Sequence, residues 1–227
     1  MNIFKKFKDY EKGNTMPDPL DLSNPEHRKQ ALRHFDWADH GILRRVWTNF
    51  YEIAPGAYRS NHPNEEQFKK YAEMGIKSVI NLRGVSKRPH FHLEKKITEE
   101  LGLARYDITL HARSAPPRES ILELLETFNN IERPFLLHCK SGADRAGLAS
   151  VLYLLLIEKA PIAEARKMLS LRFLHIKWSN TGVLDYFLDV YEARQKETGI
   201  SFEDWVRSEY DADALNNAYF SGSKSAK

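Results

Sequence analysis

The sequence predicts an α/β fold with a central, mostly parallel sheet of four to five strands flanked by helices. Short apolar runs of strand length alternate with longer segments of helical periodicity through the middle of the chain. The run 134–157 passes from an apolar strand through a tight loop into an apolar helix, as in a buried parallel strand followed by a helix. No internal repeat or low-complexity linker divides the 227 residues. We therefore expect one sheet in one main domain.

Each helix is predicted where apolar residues recur at helical spacing, bounded by a cap or proline before it or a glycine after it. These segments span residues 25–35, 37–47, 63–74, 92–101, 118–131, 145–157, 161–171, 180–197 and 202–217. Each strand is predicted where a short apolar run lies between turn residues. These runs span residues 50–60, which divide at Pro55-Gly56 into two strands, then 77–82, 103–107 and the residues just before Cys139. Strands and helices thus alternate, as the predicted fold requires.

The composition is that of a soluble globular protein, with 42% hydrophobic and 29% charged residues. A single cysteine excludes an internal disulfide, and a thiol that must stay reduced fits a cytoplasmic location. No apolar stretch is long enough to span a bilayer, and the N-terminus lacks the apolar core of a signal peptide. The net charge of +3 is small, so we expect no nucleic-acid partner.

The first residues leave two interpretations open. Apolar residues recur there at helical spacing, with lysines between them. The apolar residues are Ile3, Phe4 and Phe7, and the lysines are Lys5, Lys6 and Lys8. Such a segment can make a weak peripheral contact with an anionic membrane surface. A short frayed terminus is the alternative.

The residues around Cys139 predict a nucleophile beside an anion-binding loop. Gly142 lets the backbone turn back on itself, and a helix begins at about Arg145. Backbone N–H groups converge at such a helix N-terminus, which binds anions and favours a thiolate. Arg145 can add a planar guanidinium to the same anion. The residues that would surround the anion are Lys140, Ser141, Gly142, Ala143, Asp144 and Arg145. An ordinary buried thiol is the alternative interpretation of Cys139.

The spacing of His138, Cys139, Gly142 and Arg145 matches the signature HCxxGxxR of the cysteine-dependent phosphatases. The chain resembles the dual-specificity and protein tyrosine phosphatase-like family, including its bacterial members and the phosphoinositide phosphatases. Two further fragments, Tyr58-Arg59-Ser60 and residues 79–83, add to a resemblance that covers roughly residues 53–160.

The resemblance implies a protein tyrosine phosphatase-like fold. The order of the predicted strands and helices, without a linker between them, indicates one main domain that is extended at both ends. Residues 1–45 would form a partly helical N-terminal extension. Residues 46–200 would form the dual-specificity phosphatase-like catalytic domain. Residues 201–227 would add a C-terminal helix and a disordered tail.

In this family the cysteine attacks phosphorus and forms a cysteinyl-phosphate, so the resemblance implies that role for Cys139. Arg145 would hold the phosphoryl oxygens, and His138 would hydrogen-bond the loop and tune the thiolate. The family's general acid is an aspartate about thirty residues before the cysteine, which matches Asp107. Capping of the turn after residue 107 is the alternative role for Asp107. Asp144 is expected to cap the following helix or to brace the loop.

No metal or cofactor is required by this chemistry, and no clustered metal-ligand spacing occurs in the sequence. One residue departs from the family pattern. Many members carry Ser or Thr after the arginine, where the hydroxyl assists the second step, but this chain has Ala146. We expect this difference to affect the rate of phosphoenzyme breakdown more than the class of reaction.

The sequence leaves three kinds of substrate or ligand open. The chain could be a dual-specificity or tyrosine phosphatase acting on a phosphorylated protein. It could act on a small or lipid phosphate, such as an inositol phosphate, a phosphoinositide or phosphatidylglycerophosphate, since Lys140 resembles the Cys-Lys start of phosphatases for charged head groups. A non-catalytic phosphate-binding module is the third class. Basic loop residues either surround the pocket or are merely solvated; they are Arg83, Lys87, Arg88, His90, His92, His111 and Arg113.

Overall fold

The computed structural model describes residue 17 and residues 19–225, with side chains up to residue 222. Helices and strands alternate along this part of the chain. The strands are β1 (Tyr51–Ala54), β2 (Ala57–Ser60), β3 (Ser78–Asn81), β4 (Ala104–Asp107) and β5 (Phe135–His138). The helices are α1 (Pro25–Trp37), α2 (Gly41–Val46), α3 (Glu65–Glu73), α4 (Pro89–Glu100), α5 (Arg118–Asn130), α6 (Asp144–Leu156), α7 (Ile162–Ala165), α8 (Val183–Thr198), α9 (Phe202–Ser208) and α10 (Ala212–Ser225).

The five strands form one sheet in the order β1-β2-β5-β3-β4. The hairpin pair β1 and β2 is antiparallel, and the other neighbouring pairs are parallel. Asn81 at the end of β3 pairs with His138 on one side and with Asp107 on the other. The carboxyl ends of the three strands therefore meet at one edge of the sheet. These findings confirm the predicted fold class.

Helices cover both faces of the sheet. β5 is buried along its whole length, as expected for the central strand of a parallel sheet. One face packs against α5, α6, α8 and α9, with Leu124, Leu152, Phe187 and Trp205 in the core. The other face carries α1, α3 and α4, through Phe35, Phe68, Leu93 and Ile97. The loop after β5 is thus anchored in the middle of the molecule.

Two predicted helices differ from the observed ones. We expected one helix at residues 161–171, but α7 gives way to two 3₁₀ turns, Arg166–Met168 and Leu171–Phe173. We also expected one helix at residues 202–217, but α9 ends at Ser208. A new helix follows, because the side chain of Asp211 accepts the N–H of Ala214 and caps it.

The C-terminal helix α10 continues to Ser225, into the segment from Ser221 onward for which a disordered tail was expected. Upstream, α9 and α10 contribute Phe202, Trp205 and Leu215 to the core that contains the sheet. The division of the chain at residues 45 and 200 stays a prediction.

The predicted amphipathic segment with Ile3, Phe4 and Phe7 lies outside the described residues. Among the helices of the described part, none is long and apolar enough to cross a bilayer.

Candidate active site

Cys139 lies directly after β5, at the start of a loop that leads into α6. We call residues 139–145 the phosphate loop. The thiol is buried, with 1% of the residue exposed. Gly142 has a φ of +74°, and a Cβ there would approach the backbone of Ser60 and Asn61 to between 2.7 and 2.9 Å. Both the backbone conformation and the lack of space therefore require glycine at this position.

Four consecutive carbonyl groups of the phosphate loop accept hydrogen bonds from outside the loop. The donors are the N–H of His62 to Lys140, Nδ2 of Asn49 to Ser141, and the guanidinium of Arg59 to Gly142 and Ala143. The N–H and C=O of one peptide unit point in opposite directions. These contacts therefore turn the N–H groups of residues 141–144 to the other side of the loop, where an anion can bind once the N–H of Ala143 leaves the Ser141 hydroxyl.

Arg59 supports this arrangement from β2. Its side chain is fully buried, and its guanidinium also donates to the carbonyl of Met168 at 2.8 Å and stacks over the Phe173 ring at 4.0 Å. Burial lowers the pKa of Arg59 to about 10. The side chain therefore stays protonated at neutral pH and places a positive charge behind the loop.

The predicted loop residues follow in order towards α6. No side chain caps α6 within the described part of the chain, which leaves the N–H groups of its first turn for a ligand. Arg145 lies half-buried in this first turn, and Ala146 behind it is fully buried. Ser141 is exposed, and its hydroxyl accepts the N–H of Ala143 at 3.3 Å. The loop thus joins a buried thiol to an open helix N-terminus.

His138 belongs to a buried network centred on Glu94 of α4. Nε2 of His138 lies 3.0 Å from one carboxylate oxygen of Glu94, and Nε2 of His62 lies 3.3 Å from the other. Nε of Arg105 donates to the same carboxylate at 3.3 Å. Burial alone would raise the pKa of Glu94, but His138, Arg105 and Arg83 outweigh it and lower that pKa. Glu94 therefore stays charged and holds the ring of His138 in place.

His62, Glu94 and His138 also lie close enough together for a metal site, since their ligand atoms are within 4.8 Å of one another. The proton on His62 argues against such a role. A guanidinium nitrogen of Arg83 lies 2.8 Å from Nδ1 of His62, so Nδ1 must accept and Nε2 must carry the hydrogen. Burial, followed by the charge of Arg83, also holds the pKa of His62 well below its usual value. Neutral His62 therefore carries its hydrogen on Nε2, 3.3 Å from Glu94, and does not offer that atom to a metal.

At the N-terminal side of the loop, Lys140 pairs with Asp39, which lies between α1 and α2. Nζ of Lys140 is 3.4 Å from Oδ1 of Asp39. Arg83 binds both carboxylate oxygens of Asp39 at 2.8 Å, and Arg44 contacts Oδ2 at 2.9 Å. Burial would raise the pKa of Asp39, but these three cations outweigh it and hold that pKa well below its usual range. Asp39 is therefore a buried, permanently charged carboxylate.

At the other end of the loop, Asp144 pairs with His175. Nδ1 of His175 lies 2.8 Å from Asp144, and Nε2 lies 2.7 Å from Asp185 of α8. Only 1% of the His175 side chain is exposed. Burial would lower the pKa of His175, but hydrogen bonds and charges from both aspartates outweigh it and raise the pKa to about 9. Of the two roles expected for Asp144, its contacts support the bracing of the loop, because the helix has no side-chain cap.

Asp107 ends β4, at the same edge of the sheet as Cys139. Its Oδ1 accepts from Nη2 of Arg105 at 2.6 Å and from Nδ2 of Asn81 at 2.8 Å. These donors are side chains of β4 itself and of β3, and neither belongs to the turn after Asp107. With 21% of its side chain exposed, Asp107 lies at the boundary between the sheet and solvent.

The basic rim predicted from the loops is only partly present. Arg83 is committed to Asp39, and His90 is buried. Burial, followed by the charge of Arg83, lowers the pKa of His90 to about 3, so this ring is neutral. His92 is half-buried, whereas the other predicted rim residues are exposed. The exposed ones are Lys87, Arg88, His111 and Arg113.

Sequence analysis missed several residues that hold the phosphate loop. They are Asp39, Asn49, Glu94, His175 and Asp185, and Arg59 was noted only as part of a matching fragment. The one local signal is a charged residue within an apolar pattern, as for Glu94 between the buried Leu93 and Ile97. The other contacts join distant segments and have no local signature.

Comparisons with known proteins agree with this geometry. Residues 54–158 match the family model of the polymorphic toxin system DSP-PTPase phosphatase, Tc-R-P. The inositol diphosphatase DSP3 of Arabidopsis thaliana is 27% identical over 105 residues, which are 44% of this chain and 50% of that protein. The chain thus spans about half the length of this curated relative.

Two solved structures share the fold. A DUF442 protein of Shewanella putrefaciens CN-32 has a TM-score of 0.52 at 19% identity, covering 65% of this chain and 90% of that one. The core catalytic domain of the PP-IP phosphatase SIW14 of S. cerevisiae has a TM-score of 0.51 at 18% identity, covering 66% and 93%. At these identities the likeness concerns the fold alone. The family match and the HCxxGxxR loop between β5 and α6 make residues 54–158 similar to the dual-specificity and tyrosine phosphatase-like family of cysteine-dependent phosphatases.

Proposed function

We propose that this chain hydrolyses phosphate monoesters through a cysteinyl-phosphate intermediate on Cys139. The observation that carries the proposal is the set of four outward-held carbonyls around the buried thiol. The opposite ends of the same peptide units form a preorganised anion site, which needs little rearrangement when a phosphoryl group binds. Arg145 supplies a charged, planar donor at the end of this site.

In the first step, Sγ of Cys139 attacks phosphorus while the bond from phosphorus to the leaving oxygen breaks. The N–H groups of the loop and Arg145 stabilise the charge on the phosphoryl oxygens. In the second step, water attacks phosphorus, the bond between sulfur and phosphorus breaks, and the thiolate is released. His138, fixed by Glu94, acts as a positioning residue for the start of the loop.

We assign the proton transfers to Asp107, which would protonate the leaving oxygen and then accept a proton from water. Its place at the catalytic edge of the sheet supports this role. The contacts of Asp107 also set a geometric condition. Its Oδ1 is engaged by Arg105 at 2.6 Å and by Asn81 at 2.8 Å, so the carboxyl group must leave these partners to reach a leaving oxygen through that atom.

Ala146 leaves the second step without the hydroxyl that many family members carry after the arginine. The nearest loop hydroxyl, that of Ser141, is exposed and bonded to Ala143. We therefore expect phosphoenzyme breakdown, rather than phosphorus attack, to limit turnover of good leaving groups.

The substrate is proposed at the level of chemical class. A phosphorylated protein, on serine, threonine or tyrosine, is the first candidate, in keeping with the dual-specificity family. An inositol phosphate or another small or lipid phosphate is the second candidate, favoured by the similarity to a protein named inositol diphosphatase. A non-catalytic phosphate-binding module is a weaker proposal, because the nucleophile and the anion site are both in place.

Replacement of the nucleophile tests the proposed function. Cys139→Ser should abolish hydrolysis of 4-nitrophenyl phosphate, because a serine hydroxyl is not ionised near neutral pH, while binding of inorganic phosphate and the folded structure persist. Turnover is measured by release of nitrophenol, and folding by circular dichroism. A clean Cys139→Ser preparation that still turns over would disprove the cysteinyl-phosphate mechanism. A wild type that binds vanadate without turnover would identify a binding module.

The role of Asp107 predicts a dependence on the leaving group. Asp107→Asn should lower kcat/KM for phenyl phosphate by about a hundredfold, but should lower kcat/KM for 4-nitrophenyl phosphate far less, because kcat/KM reports the steps up to release of the leaving group and nitrophenolate leaves without a proton. Arg105→Gln is the matched control, since it removes the cation but keeps the carboxyl group. Equal slowing of both substrates by Asp107→Asn would mean that Asp107 is not the acid.

A further inference from the structure

Asp39 contacts the phosphate loop from outside the part of the chain that matches the family model. That match covers residues 54–158, whereas Asp39 lies in the connection between α1 and α2. Its carboxylate nevertheless lies 3.4 Å from Nζ of Lys140, the residue that follows the proposed nucleophile. The N-terminal segment thereby places a buried negative charge beside the second residue of the phosphate loop.

The three cations around Asp39 differ in their freedom to move. Arg44 and Arg83 each have only 8% of the side chain exposed. Both are fixed by further bonds, since Arg44 donates to the carbonyl groups of Asp39 and His62, and Arg83 donates to the His62 ring. Lys140 is 41% exposed, and Asp39 is its partner in the described contacts. Lys140 is therefore the member of this cluster that can turn towards a bound ligand.

A lysine at this position would attract any substrate that carries a second phosphate near the reacting one. Asp39 opposes that attraction in two ways. It engages the ammonium group of Lys140, and it cancels part of the positive charge that Lys140, Arg44 and Arg83 would otherwise present to an anion. The carboxylate cannot be neutralised near neutral pH, because its buried cations keep it ionised.

We propose that Asp39 is a specificity-determining residue that withholds Lys140 from a second phosphate group and so directs the enzyme to substrates phosphorylated at a single position. This inference rests on the proposed phosphatase function and selects between its substrate classes. It favours phosphorylated side chains of proteins over multiply phosphorylated small molecules.

Binding measurements on the inactive enzyme test the inference without turnover. Inorganic phosphate and inositol hexakisphosphate are titrated calorimetrically into Cys139→Ser and into Cys139→Ser/Asp39→Asn. Loss of Asp39 should tighten binding of inositol hexakisphosphate by about tenfold at low salt and change phosphate binding by less than about twofold. The gain should shrink as added salt screens the charges. An equal change for both ligands, or no change, would overturn the inference.

Lys140→Gln provides an independent arm, because its half-exposed side chain can be replaced without disturbing the core. With Asp39 present, Lys140→Gln should weaken the binding of inositol hexakisphosphate by less than about threefold, since Asp39 already engages the ammonium group of Lys140. Combined with Asp39→Asn, it should remove the tenfold gain. If Lys140→Gln alone weakens the binding of inositol hexakisphosphate tenfold or more, Lys140 already contacts this ligand and the inference is wrong. This arm can therefore overturn the inference even if Asp39→Asn fails to fold.

The two proposals fail in different ways. A wild-type protein without turnover of 4-nitrophenyl phosphate would disprove the phosphatase function. The binding ratio between the two ligands would still report on Asp39, because the Cys139→Ser background needs no turnover. Turnover with an unchanged binding ratio would instead leave the phosphatase in place and remove the role of Asp39.

Discussion

The two ends of the phosphate loop are held by the two flanks of the chain, with opposite charges at the centre of each contact. On the N-terminal side, the buried anion Asp39 lies among cations and reaches Lys140. On the C-terminal side, the buried cation His175 lies between anions and reaches Asp144. Both central residues lie outside the matched residues 54–158. The family motif thus supplies the loop, while the flanks of this chain supply much of its support.

The difference in charge gives the two contacts different responses to pH. Asp39 stays ionised because arginine partners surround it, and those partners keep their protons. His175 depends on a proton that it loses at about pH 9. The contact of Asp39 at the N-terminal end of the loop should therefore not change with pH in the neutral and alkaline range. The contact of His175 at the C-terminal end should weaken as pH rises.

The largest effect is expected from breaking the N-terminal contact. Asp39→Ala should lower the free energy of unfolding by about 3–5 kcal/mol, because it leaves the buried guanidinium groups of Arg44 and Arg83 without their carboxylate. His175→Gln should lower it by less, about 2 kcal/mol, because the amide can still donate to one aspartate. Urea denaturation at pH 7 measures both. If His175→Gln lowers the free energy of unfolding more than Asp39→Ala does, the C-terminal contact is the stronger of the two.

A smaller effect is expected from titration of the C-terminal contact. The pKa of His175 is about 9 in the folded protein, against an ordinary value of 6.5. Because the folded value is raised, the stabilisation is complete below pH 6.5 and is lost as pH rises through about 9, up to roughly 3 kcal/mol. The free energy of unfolding of the wild type should therefore fall between pH 6 and pH 9.5, and less so in His175→Gln.

Asp39→Asn is the matched control for this pH dependence. Asp39 does not titrate in that range, so this variant should start from a lower stability but keep the slope of the wild type. If Asp39→Asn flattens the slope as much as His175→Gln does, the pH dependence does not come from His175.

The sequence predicted the parts of this molecule that depend on neighbouring residues. The HCxxGxxR loop, the apolar strand before it and the buried helix after it form one continuous run, so their pattern is visible without a structure. The fold class followed from the alternation of strands and helices, and the structure confirms it. The splitting of the predicted helix at residues 161–171 was missed, because helical periodicity does not reveal where packing imposes a turn.

The contacts that hold the loop could not be predicted in this way. Arg59 and Gly142 are separated by 83 residues, and Asp39 and Arg83 by 44. A lone Asp or His in a polar segment has the same appearance whether it is solvated or buried against a distant partner. Only the fold decides which of them lose water, and burial is what turns Asp39 and His175 into structural charges.

The smallest effects should come from the loop's own partners, Lys140 and Asp144. Lys140→Gln should lower the free energy of unfolding by about 1 kcal/mol or less, because a half-exposed ion pair is largely screened and Asp39 keeps its two arginines. Asp144→Asn should lower the free energy of unfolding by more, about 1–2 kcal/mol, because the buried imidazolium of His175 then keeps one carboxylate instead of two.

Lys69→Gln is the control for both variants, since it breaks an exposed ion pair with Glu65 on a helix. If Lys140→Gln and Lys69→Gln lower the free energy of unfolding equally and Asp144→Asn lowers it more, the N-terminal contact contributes little stability through Lys140. The C-terminal contact then contributes more, through Asp144. If the loss for Asp144→Asn is no larger than the loss for the control, the contact between Asp144 and His175 contributes no measurable stability, and the pH dependence of stability must come from the contact of His175 with Asp185.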